Sequence, residues 1–157
     1  MDLYDIEVVK LDGNRISLRE FEGKILVIIN TASGWGMASQ MESFEKIYQK
    51  YKSEGLEILA FPSNTFNQEP LENERIAEEY YERFHVTYPI FSKIYVNGEE
   101  TCSLYKYLKD VSSKDGHPVD VKWNFEKFLI DRQGKVVKRY SSITRPKKIE
   151  KDIKKLL

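Results

Sequence analysis

The stretch Ile25-Leu26-Val27-Ile28-Ile29-Asn30-Thr31-Ala32-Ser33-Gly34-Trp35-Gly36 passes abruptly from an unbroken apolar run to small and polar residues. The continuous run Ile25–Ile29 is the pattern of a strand buried on both faces. From Ser39 to Lys52 the apolar residues Met41, Phe44, Ile47, Tyr48 and Tyr51 recur at helical spacing. Residues 30–36 therefore connect the end of a buried strand to the start of an amphipathic helix. The first turn of a helix has unpaired amides and carries the positive end of its dipole. A thiol held there would have a lowered pKa and be a good nucleophile. This chain has Trp35 in that setting.

Outward from this stretch, Gly55 ends the helix and Leu56–Phe61 forms a second buried strand. Two such strands joined by a helix imply a right-handed parallel crossover. Upstream, Tyr4–Lys10 and Arg15–Ser17 flank the turn dipeptide Asp12-Gly13 and read as an N-terminal β-hairpin. Downstream, Ser63–Leu71 is a polar loop, and Asn73 is the expected N-cap of a helix carrying Ile76, Ala77, Tyr80, Tyr81 and Phe84. Tyr88–Ile94 reads as a short extended segment, Asn97-Gly98 as a turn, and Leu104, Tyr105 and Leu108 as a short helix. Phe125–Ile130 and Val136–Tyr140 flank Asp131-Arg132-Gln133-Gly134 and form a second hairpin. Pro146 opens a last helix with Ile149, Ile153, Leu156 and Leu157 facing inward. The order predicts an α/β chain of the thioredoxin-like fold. It has an N-terminal β-hairpin and a central mixed sheet flanked by helices, in a single domain over 1–157.

The 157 residues carry 25 basic and 25 acidic side chains. That balance gives no electrostatic footprint for nucleic acid, and the Lys147-Lys148 and Lys154-Lys155 pairs read as a solvated helix face. No apolar run reaches the roughly 20 residues of a membrane span. The acidic start Met1-Asp2-Leu3-Tyr4-Asp5 lacks the apolar region of a signal peptide. A cytoplasmic location is the resulting expectation. Cys102 is the only cysteine, so an internal disulfide and a multi-cysteine metal site are both excluded. Preceding a short helix, it reads as a small apolar filler, and the isolated His85 and His117 read as surface or packing residues.

Several segments together resemble the glutathione peroxidase family. Asn30–Gly36 is similar to the family's Asn-Val-Ala-Ser-x-Cys-Gly, whose sixth position is cysteine or selenocysteine. Phe61-Pro62-Ser63-Asn64-Thr65-Phe66 resembles Phe-Pro-Cys-Asn-Gln-Phe, and Gln68-Glu69-Pro70 follows as in the family, in a loop one residue short. Tyr88–Ile94, Val96–Glu99 and Leu104–Leu108 read like further family segments, and Lys122-Trp123-Asn124-Phe125 carries the Trp-Asn-Phe signature. The resemblance implies thiol-dependent hydroperoxide reduction in oxidative-stress defence, with glutathione or thioredoxin as reductant and no cofactor or metal. It places the four catalytic positions on Trp35, Thr65, Trp123 and Asn124. Indole has no lone pair suited to attack on oxygen, so Trp35 does not replace the nucleophile. Thr65 has one donor where glutamine has two. The resolving cysteine of thioredoxin-dependent relatives falls near Tyr80 and Tyr81, which read as a packed helix stripe, and Ser63 stands where a cysteine is common.

Gly34 and Met37 also depart from the usual family residues. Trp123 and Asn124 admit a purely structural reading, as a core aromatic and a strand cap, beside a retained binding role. Two functional readings follow. One is a degenerate thioredoxin-fold binding or scaffold module; the other is an active selenocysteine peroxidase whose UGA codon is represented as Trp35. The short Ser112–Val121 segment points to a monomer or weak dimer.

Overall fold

The computed structural model describes residues 2–34 and 36–157. A short antiparallel pair, β1 (Glu7–Val9) and β2 (Arg15–Ser17), precedes a four-stranded sheet. That sheet contains β3 (Ile25–Thr31), β4 (Leu56–Pro62), β5 (Lys127–Ile130) and β6 (Val136–Tyr140), in the order β4-β3-β5-β6. β3 pairs parallel with β4 and antiparallel with β5, which pairs antiparallel with β6. The helices are α1 (Gln40–Tyr51), α2 (Asn73–Phe84), α3 (Ser103–Val111) and α4 (Pro146–Leu156). This is the thioredoxin-like α/β fold with the N-terminal hairpin and mixed sheet expected from the sequence.

The continuous apolar run of β3 has its cause in this topology. Ile25, Val27 and Ile29 enter one apolar layer with residues of α1, α2 and α4, including Phe44, Tyr80 and Ile149. Leu26 and Ile28 enter a second layer with the N-terminal hairpin and α3, including Val8, Leu104 and Leu108. A strand covered on both faces has no solvated side to keep polar. Where the apolar layers end, at Asn30, the sequence turns polar.

Four details differ from the sequence expectation. Helix α2 has Glu72 at its N-cap rather than Asn73, whose Oδ1 instead accepts from the Lys93 backbone N–H at 3.0 Å. Tyr80 is fully buried, but Tyr81 is 59% exposed, because adjacent residues on a helix are rotated by about 100° and cannot share one face. β5 begins at Lys127 rather than Phe125, since Phe125 has a φ of 68° and cannot continue a strand. Leu157 lies past the end of α4 and is exposed. Among the described residues no helix is long and apolar enough to cross a membrane.

Candidate active site at the end of the central strand

Asn30, at the edge of the apolar run, organises the site. Its Nδ2 donates to the Trp123 carbonyl at 3.2 Å, and its Oδ1 accepts from the Glu126 amide at 3.1 Å. Its backbone carbonyl accepts from the Phe125 amide at 2.7 Å. One buried side chain and its own peptide thus fix the turn 123–126 against the end of β3. Phe125 is held in a left-handed conformation that costs a non-glycine residue roughly 1–2 kcal/mol. Such strain persists where surrounding contacts over-determine it. From the other side, Glu126 accepts from the Lys122 amide at 2.7 Å and pairs with Arg139 at 2.9 Å.

The turn presents its two family residues differently. Trp123 is 42% exposed and its ring lies 5.3 Å from that of Phe66, so it is a surface platform rather than a core aromatic. Asn124 is buried, and its Oδ1 has no hydrogen-bond partner among the described residues. The strand-cap role expected of Asn124 falls to Asn30 instead. A buried carbonyl left without a donor costs about 1–3 kcal/mol.

Thr65 lies on the loop after β4, as expected. Its hydroxyl is 2.8 Å from the Ser63 hydroxyl and accepts from the Val96 amide at 3.2 Å. The next residue of that strap, Asn97, holds both polar backbone groups of Val121, at 2.6 and 3.0 Å. Through Val96 and Asn97 the loop is therefore tied to the segment leading into Trp123. The Thr65 hydroxyl serves this brace.

A third anchor, not singled out in the sequence, is Glu69. Its fully buried carboxylate accepts from the Ser33 amide at 2.9 Å, the Ser33 hydroxyl at 2.7 Å, the Leu71 amide at 3.2 Å and the Tyr80 hydroxyl at 2.6 Å. Because Tyr80 donates to Glu69, the Thr31 hydroxyl 3.0 Å away donates to Tyr80. Burial and the Glu69 carboxylate both push the Tyr80 hydroxyl pKa well up, which keeps its donor proton in place. Arg83 donates to the Ser33 carbonyl at 3.0 Å, and Gly34 donates to the Gln68 carbonyl at 2.9 Å. Ser33 is thus held through its amide, hydroxyl and carbonyl, one residue before the glycine that leads to position 35. The sequence signal was an acidic residue in an otherwise uncharged turn beside Pro70.

Trp35 itself lies outside the described residues. Its neighbours are placed: Gly34 follows the Glu69 clamp, and Gly36, with a φ of 83° that favours glycine, precedes the 3-10 turn Met37–Ser39 that runs into α1. The α1 end is secured by Gln40, whose Nε2 donates to the Ser142 carbonyl at 2.9 Å. The same turn receives Lys127, a fully buried lysine donating to the carbonyls of Ser142 at 3.0 Å and Thr144 at 2.8 Å. Burial lowers its pKa to about 7. Cys102 lies at the N-cap of α3, outside this network, and burial raises its thiol pKa. Among the described residues no cluster of three or more His, Cys, Asp or Glu could hold a metal ion.

The strand end 30–34 is thus tied both to the loop 63–71 and to the turn 121–126, and comparison with known proteins identifies the family of the chain. The family model described as glutathione peroxidase matches residues 3–109. The chain is 45% identical to a glutathione peroxidase of Lactococcus lactis subsp. cremoris (strain MG1363), covering 100% of both chains. It is 51% identical to a probable phospholipid hydroperoxide glutathione peroxidase of Mesembryanthemum crystallinum, covering 99% of this chain and 92% of that one. Among solved structures it is similar to T. cruzi GPX1, with a TM-score of 0.79, 34% identity, and 99% and 96% of the two chains covered. A thioredoxin-family thiol:disulfide interchange protein from Chlorobium tepidum shares the fold at 14% identity and a TM-score of 0.71. Sequence and fold agree over the full length, and the chain belongs to the glutathione peroxidase family.

Proposed function

We propose that the end of β3, the loop 63–71 and the turn 121–126 together form a cleft that is a hydroperoxide site of the glutathione peroxidase type and lacks its nucleophile in the chain as sequenced. The observation that carries this reading is the threefold hold of Asn30 on the turn 123–126. It keeps Trp123 on the surface and Asn124 buried, with an oxygen unpaired among the described residues. A turn kept only for packing gains nothing from an exposed indole and an orphaned amide oxygen. Both suit a site that receives a polar ligand.

In this reading Trp35 occupies the nucleophile's position. Peroxide reduction by the family route needs a thiolate or selenolate whose lone pair attacks oxygen, and indole offers none. The cleft then binds hydroperoxide without reducing it, and glutathione or thioredoxin has nothing to regenerate. The expected result with hydrogen peroxide or a phospholipid hydroperoxide, and either reductant, is no turnover above buffer. Turnover persisting in Cys102→Ala would overturn the reading.

The second reading, a selenocysteine recoded as Trp35, is favoured by the completeness of the supporting network. Glu69, Tyr80, Asn30 and Arg139 still hold the segments on either side of the cleft in place. The codon decides between them: UGG supports a binding module, whereas UGA with selenium incorporated at position 35 restores an enzyme.

A further inference from the structure

We propose that the cavity between the N-terminal hairpin and α3 binds a small amphipathic carboxylate, its chain on an apolar floor and its head at Lys93 and Arg15. The cavity has a volume of about 540 Å³ and lies in the second apolar layer, on the face of the sheet that carries α3. Clefts of this size hold small organic ligands where an apolar lining surrounds a few placed polar groups. None of its lining residues belongs to the strand end 30–34, the loop 63–71 or the turn 121–126. The proposal therefore stands apart from the hydroperoxide reading.

The floor is built from four elements. Val8 of β1, Phe61 of β4, Ile94 and Leu104 of α3 bring apolar side chains to it. The walls are fixed by hydrogen bonds within the fold. The Ser92 amide donates to the Val9 carbonyl at 2.8 Å and its hydroxyl to the Lys10 carbonyl at 2.6 Å, which joins residues 92–94 to the hairpin. The Cys102 amide donates to the Tyr95 carbonyl at 3.0 Å and sets the start of α3 against the same segment. A preformed site spares a ligand the cost of ordering it.

The polar groups on the lining ask for an anion. Lys93 is partly buried, and its Nζ donates to the carbonyls of Glu69 at 3.1 Å and Leu71 at 3.0 Å. Among the described residues no carboxylate pairs with it. An ammonium has three N–H groups, so bracing these two carbonyls leaves one to give. A charge withdrawn from water is costly without a counter-ion. Asn73 holds the Lys93 amide through its Oδ1 at 3.0 Å, and its Nδ2 has no partner among the described residues. Arg15 is exposed on the lining, and Glu7 is the only acid there. Two cations against one acid leave a net charge of +1, which a monoanion balances. With the apolar floor, that charge selects a carboxylate carrying a hydrocarbon chain.

Octanoate is the probe, used with the full chain. Cys102 lines the cavity and is the only cysteine, so its rate of alkylation by iodoacetamide reports occupancy there. Octanoate is expected to bind with a Kd of about 1 mM or tighter by titration calorimetry, and to slow alkylation over the same concentrations. Octanol, which lacks the charge, and acetate, which lacks the chain, should each bind at least about tenfold more weakly. Lys93→Met should weaken octanoate about tenfold, the scale of one charge-assisted hydrogen bond. Arg15→Gln, at an exposed position, should weaken it about threefold, and less at high salt. Far-ultraviolet dichroism confirms that both variants fold. A Kd above about 10 mM, or alkylation unslowed at saturating octanoate, overturns the proposal. So does octanol binding as tightly as octanoate, or an unchanged Kd in the Lys93 and Arg15 variants alike.

Discussion

The side chain of Asn30 and the backbone of Trp123, 93 residues apart in sequence, are joined by a 3.2 Å hydrogen bond from Nδ2 to the carbonyl. The same amide turns its Oδ1 to Glu126, so Asn30 does for the turn what a further strand residue would do. Asn30→Ala would leave the Trp123 carbonyl and the Glu126 amide without these partners in a buried setting. An unsatisfied buried group costs about 1–3 kcal/mol, so a loss of about 2–4 kcal/mol is expected. Urea denaturation measures it, and a loss under about 1 kcal/mol would mean that the turn holds itself.

Glu69→Gln is expected to destabilise the chain by about 2–3 kcal/mol, because an amide N–H then faces the donors of Ser33, Leu71 or Tyr80. Tyr80→Phe removes one donor and should cost about 1 kcal/mol. The two substitutions act on one network and should not add, which a double-mutant cycle by chemical denaturation reads directly.

The pH dependence of stability should carry the mark of Lys127. Burial holds its folded pKa near 7 against an ordinary value of 10.5. Between those values the unfolded chain holds a proton that the folded chain lacks, so stability rises with pH. Above about 10 the sign reverses. Burial raises the pKa values of Tyr80, Tyr88 and Tyr105, so the unfolded chain loses protons that the folded one keeps. Urea denaturation from about pH 6 to 11 should show a maximum near pH 10, and Lys127→Met should abolish the rise but keep the fall.

Restoring glutamine at position 65 should not restore chemistry. Thr65→Gln removes the hydroxyl that accepts from Val96 and contacts Ser63, a loss of about 1 kcal/mol. On the Trp35→Cys, Cys102→Ala background the peroxide oxidation rate should rise less than about tenfold, well below the roughly 10²–10³ typical of a well-placed donor. Stopped-flow oxidation checks this, and a larger rise would place the missing donor at 65.

The mixed sheet and most helices were legible because apolar periodicity reports burial, which is continuous along β3 and falls at helical spacing in α1. The cleft's family residues were legible as motifs, but their supports were not. Asn73 reads as a cap from its neighbours in sequence, yet its side chain is used 20 residues away by Lys93. Glu69 reads as a loop acid until Ser33 and Tyr80 are brought to it from two other elements. Lys127 sits inside what reads as one strand of a hairpin, and its carbonyl partners come from a turn with no basic or acidic pattern. In each case the partner is fixed by the fold and leaves no local trace in composition or spacing.

The long reach from Asn30 to Trp123 also bears on the moment of synthesis. A chain leaving the ribosome completes β3, α1 and β4 while residues 121–126 are still to be made. At about 5–20 residues per second, the nascent N-terminal half spends several seconds with Asn30 unpaired and no turn to close the cleft. The turn that carries Trp123 and Asn124 is therefore absent until the last third of the chain arrives, and the brace that Asn30 provides belongs to the finished protein.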